Sequence, residues 1–80
     1  MFCVYIIRSK TRPDQTYVGF TDDLRQWLAK HNQGRSPHTS KFIPWRVVFY
    51  CGFLSKAKAL AFEHYLKSHS GKAFAAKRLL

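Results

Sequence analysis

The chain has 80 residues, with 14 Lys and Arg against 4 Asp and Glu, which gives a formal net charge of +10. Its hydrophobic content of 46% and aromatic content of 16% exclude the polar, aromatic-poor composition of disordered tails. Its longest apolar run, residues 2–7, is far shorter than the roughly 20 residues of a membrane-spanning helix. Together with the short length and the lack of a signal-peptide pattern, these features predict one soluble, cytoplasmic domain over residues 1–80 that does not enter a membrane.

The N-terminal quarter of the chain predicts a β-hairpin. Residues 3–8 are rich in β-branched and aromatic side chains and predict a buried strand, and residues 16–20 predict a second, short strand. The turn-forming pair Pro13 and Asp14 lies between them, so an antiparallel pairing is expected. Gly19 inside the second strand indicates either a bulge or a close approach of another group to the backbone.

A helix is expected next, with Thr21 as its N-cap, Gln33 near its end and Gly34 as its C-terminal stop. Positions i, i+3, i+4 and i+7 give this helix one apolar face, which carries Leu24, Trp27, Leu28 and His31. Residues 35–44 are polar, contain two prolines and predict a long loop. Loops of that length are often functional.

The second half of the chain predicts one strand and two helices. Residues 45–52 predict the third strand, and Ser55 is the expected N-cap of a helix that ends near Lys67. After a break, residues 72–80 predict a final helix in which Phe74 packs against the core. The order β-β-α-β-α-α predicts an α+β fold in which helices cover a small antiparallel sheet.

The excess of positive charge indicates an anionic partner, and the interspersed aromatic residues favour nucleic acid, because rings stack on bases while Lys and Arg meet phosphates. A membrane surface is the weaker alternative, since it favours one basic amphipathic helix and the cations here are distributed along the chain. The cations that we expect to contact a phosphate backbone are Arg8, Arg35, Lys41, Arg46, Lys67 and Lys72.

The four acidic residues divide into three with a local structural reason and one without. Asp14 lies in the predicted turn, and Asp22 and Asp23 lie at the predicted helix start, where negative charge suits the helix dipole. Glu63 is the only glutamate of the chain, and it lies in mid-helix beside an apolar stripe. Glu63 is therefore the acidic residue that we consider for a role in catalysis, although a single residue of this kind is more often a surface acid.

Two short segments resemble the paired strand motifs of the GIY-YIG nuclease superfamily. They are Cys3-Val4-Tyr5 and, twelve residues later, Tyr17-Val18-Gly19, with Cys3 and Val4 where the first motif has glycine and isoleucine. The chain is similar to the small bacterial stand-alone members of this superfamily, and the resemblance covers essentially the whole chain. It continues in the same order through residues 20–24, 31–34, 44–50, 57–63 and 65–68.

The resemblance implies a three-stranded antiparallel sheet flanked by helices and an activity that hydrolyses DNA phosphodiesters with a divalent metal ion, Mg²⁺ or Mn²⁺. Tyr5 and Tyr17 would be the two motif tyrosines, one of them the general base, and the resemblance does not say which. Glu63 would be the metal ligand, and His31 would accept a proton from a tyrosine. Since free tyrosine has a pKa of about 10, we expect the positive field of the domain to stabilise a phenolate.

One position departs from the family pattern. Where the first helix of the family presents an arginine that stabilises the phosphate in the transition state, this chain has Trp27. Arg25 lies two residues away, and two helical positions rotate a side chain by about 200°, so Arg25 is expected to point elsewhere. Three interpretations stay open: a weakened or inactive natural member, an engineered substitution, or an enzyme that recruits another cation such as Arg8 or Lys41.

A second hypothesis, from another class of function, is a non-catalytic nucleic-acid-binding module on the same fold, in which Trp27 or Trp45 stacks on bases. Under the nuclease hypothesis, roles in restriction, repair, recombination and mobile elements all stay open. Substrate specificity would come from the loop 35–44, from the basic C-terminal segment, from self-association as a homo-oligomer, or from an accessory protein.

Overall fold

A computed structural model describes residues 1–34 and 40–80. Along the chain it contains β1 (Phe2–Ser9), β2 (Thr16–Thr21), α1 (Leu24–Asn32), a single 3₁₀ turn (Ser40–Phe42), β3 (Trp45–Phe53), α2 (Lys56–Lys67) and α3 (His69–Arg78). The strands form one antiparallel sheet in the order β2-β1-β3. The predicted α+β fold with three antiparallel strands and the order β-β-α-β-α-α is confirmed. The predicted loop 35–44 lies in part outside the described residues.

The central strand β1 has a buried side chain on both faces of the sheet. Val4 and Ile6 pack with α2 and α3, whereas Tyr5 and Ile7 pack on the side covered by α1. All four side chains are at most 1% exposed. Because successive side chains of a strand point to opposite faces, a continuous apolar run of this kind is what a strand covered on both faces requires. The buried strand predicted at residues 3–8 is thus confirmed, with one more residue at each end.

Helix α1 begins two residues later than the capping prediction implied. Thr21 is the last residue of β2, and its hydroxyl accepts a hydrogen bond from the Asp23 backbone N–H at 3.1 Å. Asp23 is the N-cap, since its carboxylate accepts from the Gln26 N–H at 3.1 Å. The prediction of Thr21 as the cap was wrong because Thr and Asp both cap helices well, and strand pairing holds Thr21 in the sheet. Gly34 has φ of 75° and terminates the helical segment as predicted.

Helix α2 has the predicted bounds, and the Ser55 hydroxyl accepts the Lys58 N–H as an N-cap. Helix α3, in contrast, begins three residues before its predicted start, with Ser68 as N-cap. Gly71 belongs to this helix and does not form a break. A β-carbon on Gly71 would overlap the carbonyl oxygen of Tyr65, so the glycine lets the two helices meet backbone to backbone.

The earlier start of α3 also changes which of its side chains faces the core. Gly71 and Ala75, one turn apart, are buried against α2. Phe74 is 39% exposed and only touches the rim, where its ring lies 6.1 Å from that of Tyr65. The prediction that Phe74 packs against the core was therefore wrong, because the tight contact between the two helices accepts only small residues.

None of the helices in the described part of the chain is long and apolar enough to cross a bilayer.

Candidate active site

The first motif tyrosine lies at the centre of the sheet. Tyr5 is 1% exposed and faces Gly19 across the β1–β2 pairing. A β-carbon on Gly19 would overlap the Tyr5 hydroxyl oxygen, so the glycine makes room for the phenol. Of the two interpretations of Gly19, close approach is the correct one, and the irregularity in the sheet lies elsewhere, in the β1–β3 pairing between Ile6 and Ile7.

The second motif tyrosine lies on the edge strand and completes an aromatic cluster with helix α1. Tyr17 is 37% exposed, and its ring centroid lies 5.9 Å from Trp27 and 6.3 Å from His31. Trp27 lies 4.3 Å from the ring of Tyr5 and stacks on His31 with a centroid distance of 3.4 Å. The structure thus brings together Tyr5, Tyr17, Trp27 and His31, four of the predicted site residues, from two strands and one helix.

Helix α2 adds a carboxylate and an ammonium group to the same region. The Glu63 side chain is 20% exposed, and its Oε2 forms an ion pair with the Lys67 Nζ at 2.9 Å. The same Nζ lies 5.8 Å from the centre of the Tyr17 ring. The negative charge of Glu63 is also near enough to raise the pKa of Tyr5. The charge of Glu63 therefore acts on Tyr5, and Lys67 links Glu63 to Tyr17.

Lys67 was expected as a contact for the DNA backbone, and its position beside Tyr17 was not predicted. The i,i+4 spacing from Glu63 was the available signal, because residues at this spacing are neighbours on one helix face. Within the described part of the chain, Lys67 is a cation that the structure brings to this cluster.

The pKa of Tyr5 is raised, first by burial of the hydroxyl and then by the negative charges of Tyr17, Glu63 and Cys3. The expectation that the positive field of the domain would stabilise a phenolate was thus wrong for Tyr5, because burial disfavours the charged form and the charges that act on it most are negative. Tyr5 stays a neutral phenol at physiological pH. Burial also lowers the pKa of His31, so its imidazole is a neutral proton acceptor near pH 7.

Arg8 and Lys41, the expected substitutes for an arginine at position 27, and the nearby Arg25 are exposed or lie on the opposite face of the sheet. Arg25 is exposed on α1, consistent with the predicted rotation away from Trp27. Arg8 follows Ile7 on β1 and so belongs to the face of Val4 and Ile6, opposite to Tyr5. Lys41 is exposed in the 3₁₀ turn.

The predicted contacts for a phosphate backbone differ in their accessibility. Arg35 lies outside the described residues. The exposed members are Lys41, Arg46, Lys67 and Lys72. Arg8 is half-buried, and its Nε is the buried side-chain polar atom that lacks a hydrogen-bond partner within residues 1–34 and 40–80. Arg8 therefore differs from the solvated lysines around it.

Among the described residues, no three His, Cys, Asp or Glu side chains cluster closely enough to hold a metal ion. Glu63 offers a single, partly exposed carboxylate that also carries an ion pair. Such a donor set fits Mg²⁺, which keeps several of its water molecules and takes one or two protein carboxylates with substrate phosphates. It does not fit a closed structural metal site, which needs about four protein ligands.

A residue that the sequence analysis missed positions helix α1 on the sheet. The Asn32 side chain accepts the backbone N–H of Trp45 at 2.6 Å through Oδ1 and donates to the carbonyl oxygen of Trp45 at 3.1 Å through Nδ2. Asn32 follows His31 directly, so this pair of bonds fixes the end of α1 that carries the histidine. The signal in the sequence was a polar amide at the border of an apolar helix face.

A family model described as the GIY-YIG catalytic domain matches residues 1–78. The chain belongs to the GIY-YIG family. The chain is 41% identical over 71 residues to a structure-specific endonuclease subunit SLX1 from Candida dubliniensis, covering 80% of this chain and 25% of that protein. It is 34% identical over 67 residues to an SLX1 homolog from Giardia intestinalis, covering 79% of this chain and 18% of that protein.

A bacterial relative is closer in size. The chain is 34% identical over 64 residues to a UPF0213 protein from Streptococcus pneumoniae, covering 79% of this chain and 65% of that protein. The GIY-YIG domain described here therefore spans a quarter or less of the two endonuclease subunits and about two thirds of the bacterial protein. Family membership and the endonuclease relatives support a nuclease.

Proposed function

We propose that this GIY-YIG domain is a divalent-metal-dependent DNA endonuclease that hydrolyses phosphodiester bonds. The observation that carries the proposal is the convergence of Tyr5, Tyr17, His31 and Glu63, which come from β1, β2, α1 and α2 and lie around one aromatic cluster. A core that only needed apolar packing would not bring two phenols, an imidazole and a carboxylate together. The net charge of +10 supports DNA as the substrate.

The two tyrosines take different roles in this proposal. Tyr17 is exposed enough to reach a water molecule, and its ring lies beside His31. Its hydroxyl accepts a proton from the attacking water while it passes its own proton to the neutral imidazole of His31. Tyr5 is buried and its pKa is raised, so it keeps its proton and serves as a hydrogen-bond donor.

Glu63 is the proposed ligand of a Mg²⁺ or Mn²⁺ ion. When bound, the ion would supply positive charge for the phosphate oxygens and the leaving oxygen as negative charge develops there. The Lys67 ammonium contacts the same carboxylate and therefore competes with a cation for it. When a metal ion takes the carboxylate, Lys67 is free to contact the phosphate group. Lys67 is therefore the proposed substitute for the arginine that Trp27 replaces.

The absence of arginine at position 27 leads us to propose a weakened enzyme. Removing one charge-stabilising donor from an active site typically costs about 10²–10³-fold in rate. Lys67 approaches the cluster from α2 and on a flexible stem, and it lacks the paired N–H groups with which arginine binds a phosphate. We expect slow cleavage of DNA by the chain as it stands.

The test is cleavage of branched, single-stranded and duplex DNA in Mg²⁺ or Mn²⁺ by the parent domain, Glu63→Gln and Asp22→Asn. Asp22 is an exposed carboxylate outside the cluster and serves as the matched control. We expect metal-dependent cleavage that Glu63→Gln abolishes and Asp22→Asn leaves unchanged. Equal rates for the parent domain and Glu63→Gln would exclude the proposed metal ligand.

The second candidate is a nucleic-acid-binding module without catalysis, and the position of Trp27 favours it. Trp27 stands where the family arginine is expected, and its ring lies over Tyr5. A module of this kind would bind DNA with strong salt dependence and cut none of the three substrates. Binding without cleavage, even after Trp27→Arg, would decide for this candidate.

The proposal includes a place for a second protein. The relatives from Candida dubliniensis and Giardia intestinalis are named as subunits of a structure-specific endonuclease. A domain of this size presents few elements for substrate recognition, so an accessory protein or a second copy of the chain would supply part of the specificity. Processing of DNA in repair or recombination is the role that fits such an assembly.

A further inference from the structure

A cavity of about 460 Å³ opens between the edge strand β2 and the helices α2 and α3. It lies next to the proposed catalytic cluster, because Tyr17 and Lys67 line the cavity and also belong to the cluster. Its volume falls within the range of about 300–1,000 Å³ that is typical of small-molecule pockets. This space is not used by the catalytic roles assigned above.

The lining of the cavity combines an apolar interior with a positively charged rim. Ile6 and Val18 contribute from the sheet, and Leu66 and Ala75 contribute from the helices. Lys67 and Lys72 are exposed and lie on the helix side. A ligand that matches this lining has a flat or apolar body and carries phosphate groups.

Arg8 is a neighbour of the cavity lining on the sheet. It pairs with Thr16 across the sheet, so the two side chains leave the same face, and Thr16 lines the cavity. The buried Nε of Arg8 has no hydrogen-bond partner among the residues that the structure describes. Arg8 is not part of the cavity lining, so the positive charge available to a ligand there is that of Lys67 and Lys72.

We propose that the cavity binds one unpaired nucleotide of the DNA strand that is cut, with the base in the apolar interior and the neighbouring phosphates at Lys67 and Lys72. This inference rests on the proposed function, because Tyr17 joins the cavity to the proposed scissile phosphate. A base in a duplex is held by pairing and stacking, and extruding it costs least when it is already unpaired. The domain therefore prefers DNA that has an unpaired nucleotide beside the cleavage site.

Binding in the presence of EDTA tests the cavity separately from cleavage. Two hairpin DNAs are compared that contain the fluorescent base 2-aminopurine at one position, either bulged and unpaired or paired with thymine. We expect the parent domain to bind the unpaired form about tenfold more tightly, a difference of about 1.4 kcal/mol, with a change in 2-aminopurine fluorescence. Equal affinity for the two DNAs would overturn the inference.

Two matched pairs of variants locate the binding in this cavity. Ala76 lines the cavity and is exposed on α3, whereas Ala73 is exposed on the same helix and is not part of the lining. We expect Ala76→Phe to abolish the preference for the unpaired DNA and Ala73→Phe to keep it. Lys72→Ala should reduce binding of the unpaired form more than Lys77→Ala does. This second pair of variants tests the cavity if Ala76→Phe does not fold.

The outcomes separate the cavity from the proposed nuclease activity. A preference for the unpaired DNA that Ala76→Phe removes supports the cavity even if no DNA is cut. Cleavage of duplex and bulged DNA at equal rates, with Ala76→Phe active on both, supports the endonuclease and overturns the nucleotide site. An equal effect of Ala76→Phe and Ala73→Phe on binding also overturns it.

Discussion

The indole ring of Trp27 lies over the buried ring of Tyr5, with the centroids 4.3 Å apart and the planes inclined by 50°. The same indole stacks on His31 and lies beside Tyr17, so one side chain touches three of the proposed catalytic residues. The family resemblance implies an arginine at this position. Under the proposed function, Trp27 closes the aromatic cluster and leaves the site short of one positive charge.

Restoring the cation at position 27 should raise the activity of the domain. We expect Trp27→Arg to increase kcat/KM for DNA cleavage by about 10²–10³-fold, because a charge-stabilising donor would again face the developing phosphate charge. Steady-state cleavage in Mg²⁺ measures this. Trp27→Gln is the control, since it removes the ring without adding charge. An equal gain in Trp27→Gln would mean that the indole obstructs the substrate and that the missing charge is not the cause.

The two tyrosines should differ in their ionisation. Because burial and neighbouring negative charges raise the pKa of Tyr5, the phenol stays protonated in the folded domain. The absorbance change at 295 nm up to about pH 11 should therefore be the same for the parent domain and Tyr5→Phe. In denaturant the variant should show one tyrosine fewer. A smaller change in folded Tyr5→Phe would contradict the neutral phenol that we assign to Tyr5.

The stability of the domain should depend on the protonation of His31. Burial lowers the pKa of His31 below its usual 6.5, so between the two values the unfolded chain binds more protons than the folded domain. Stability then rises with pH in this window and is lost as the pH falls below about 6.5. His31→Gln should flatten the dependence of Tm on pH between about 5 and 7, and the exposed His64→Gln should not. A parallel effect of both variants would argue against this assignment.

The close approach of Tyr5 to Gly19 should make the glycine necessary. A β-carbon at position 19 would overlap the Tyr5 hydroxyl inside a packed sheet, so we expect Gly19→Ala to destabilise the domain by about 1–3 kcal/mol. Gly52→Ala is the control on the other pairing of β1. The three atoms nearest to its β-carbon would belong to the exposed Met1 side chain, which can move aside. Denaturant unfolding measures both, and equal effects would contradict the assigned packing.

Local patterns in the sequence predicted most of the fold, and the starts of α1 and α3 were misplaced. The strands and α2 follow from apolar runs and from Ser55 as a cap, and the structure agrees. The start of α3 was misplaced because Gly71 suggests a break to any local rule. Its actual role, backbone contact with Tyr65, depends on a helix packed against its neighbour.

The candidate site divides in the same way. Tyr5, Tyr17, His31 and Glu63 were identifiable because they match the spacing of a known family. Two other features could not be identified from the sequence. They are the position of Lys67 beside Tyr17 and the two hydrogen bonds of Asn32 to the backbone of Trp45. Both join segments that are distant along the chain, so the i,i+4 spacing of Lys67 from Glu63 and the amide of Asn32 do not reveal the partner on the other segment.

The sequence by itself determined the order of the strands and helices, the family, the net positive charge and the isolated position of Glu63, because each follows from residue type and local spacing. Only the tertiary structure decided that Tyr5 is a buried neutral phenol, that Trp27 covers it, and that Lys67 lies near Tyr17. The physical reason is that burial and pairwise charge interactions depend on distances between elements. Those distances arise when the helices pack on the sheet.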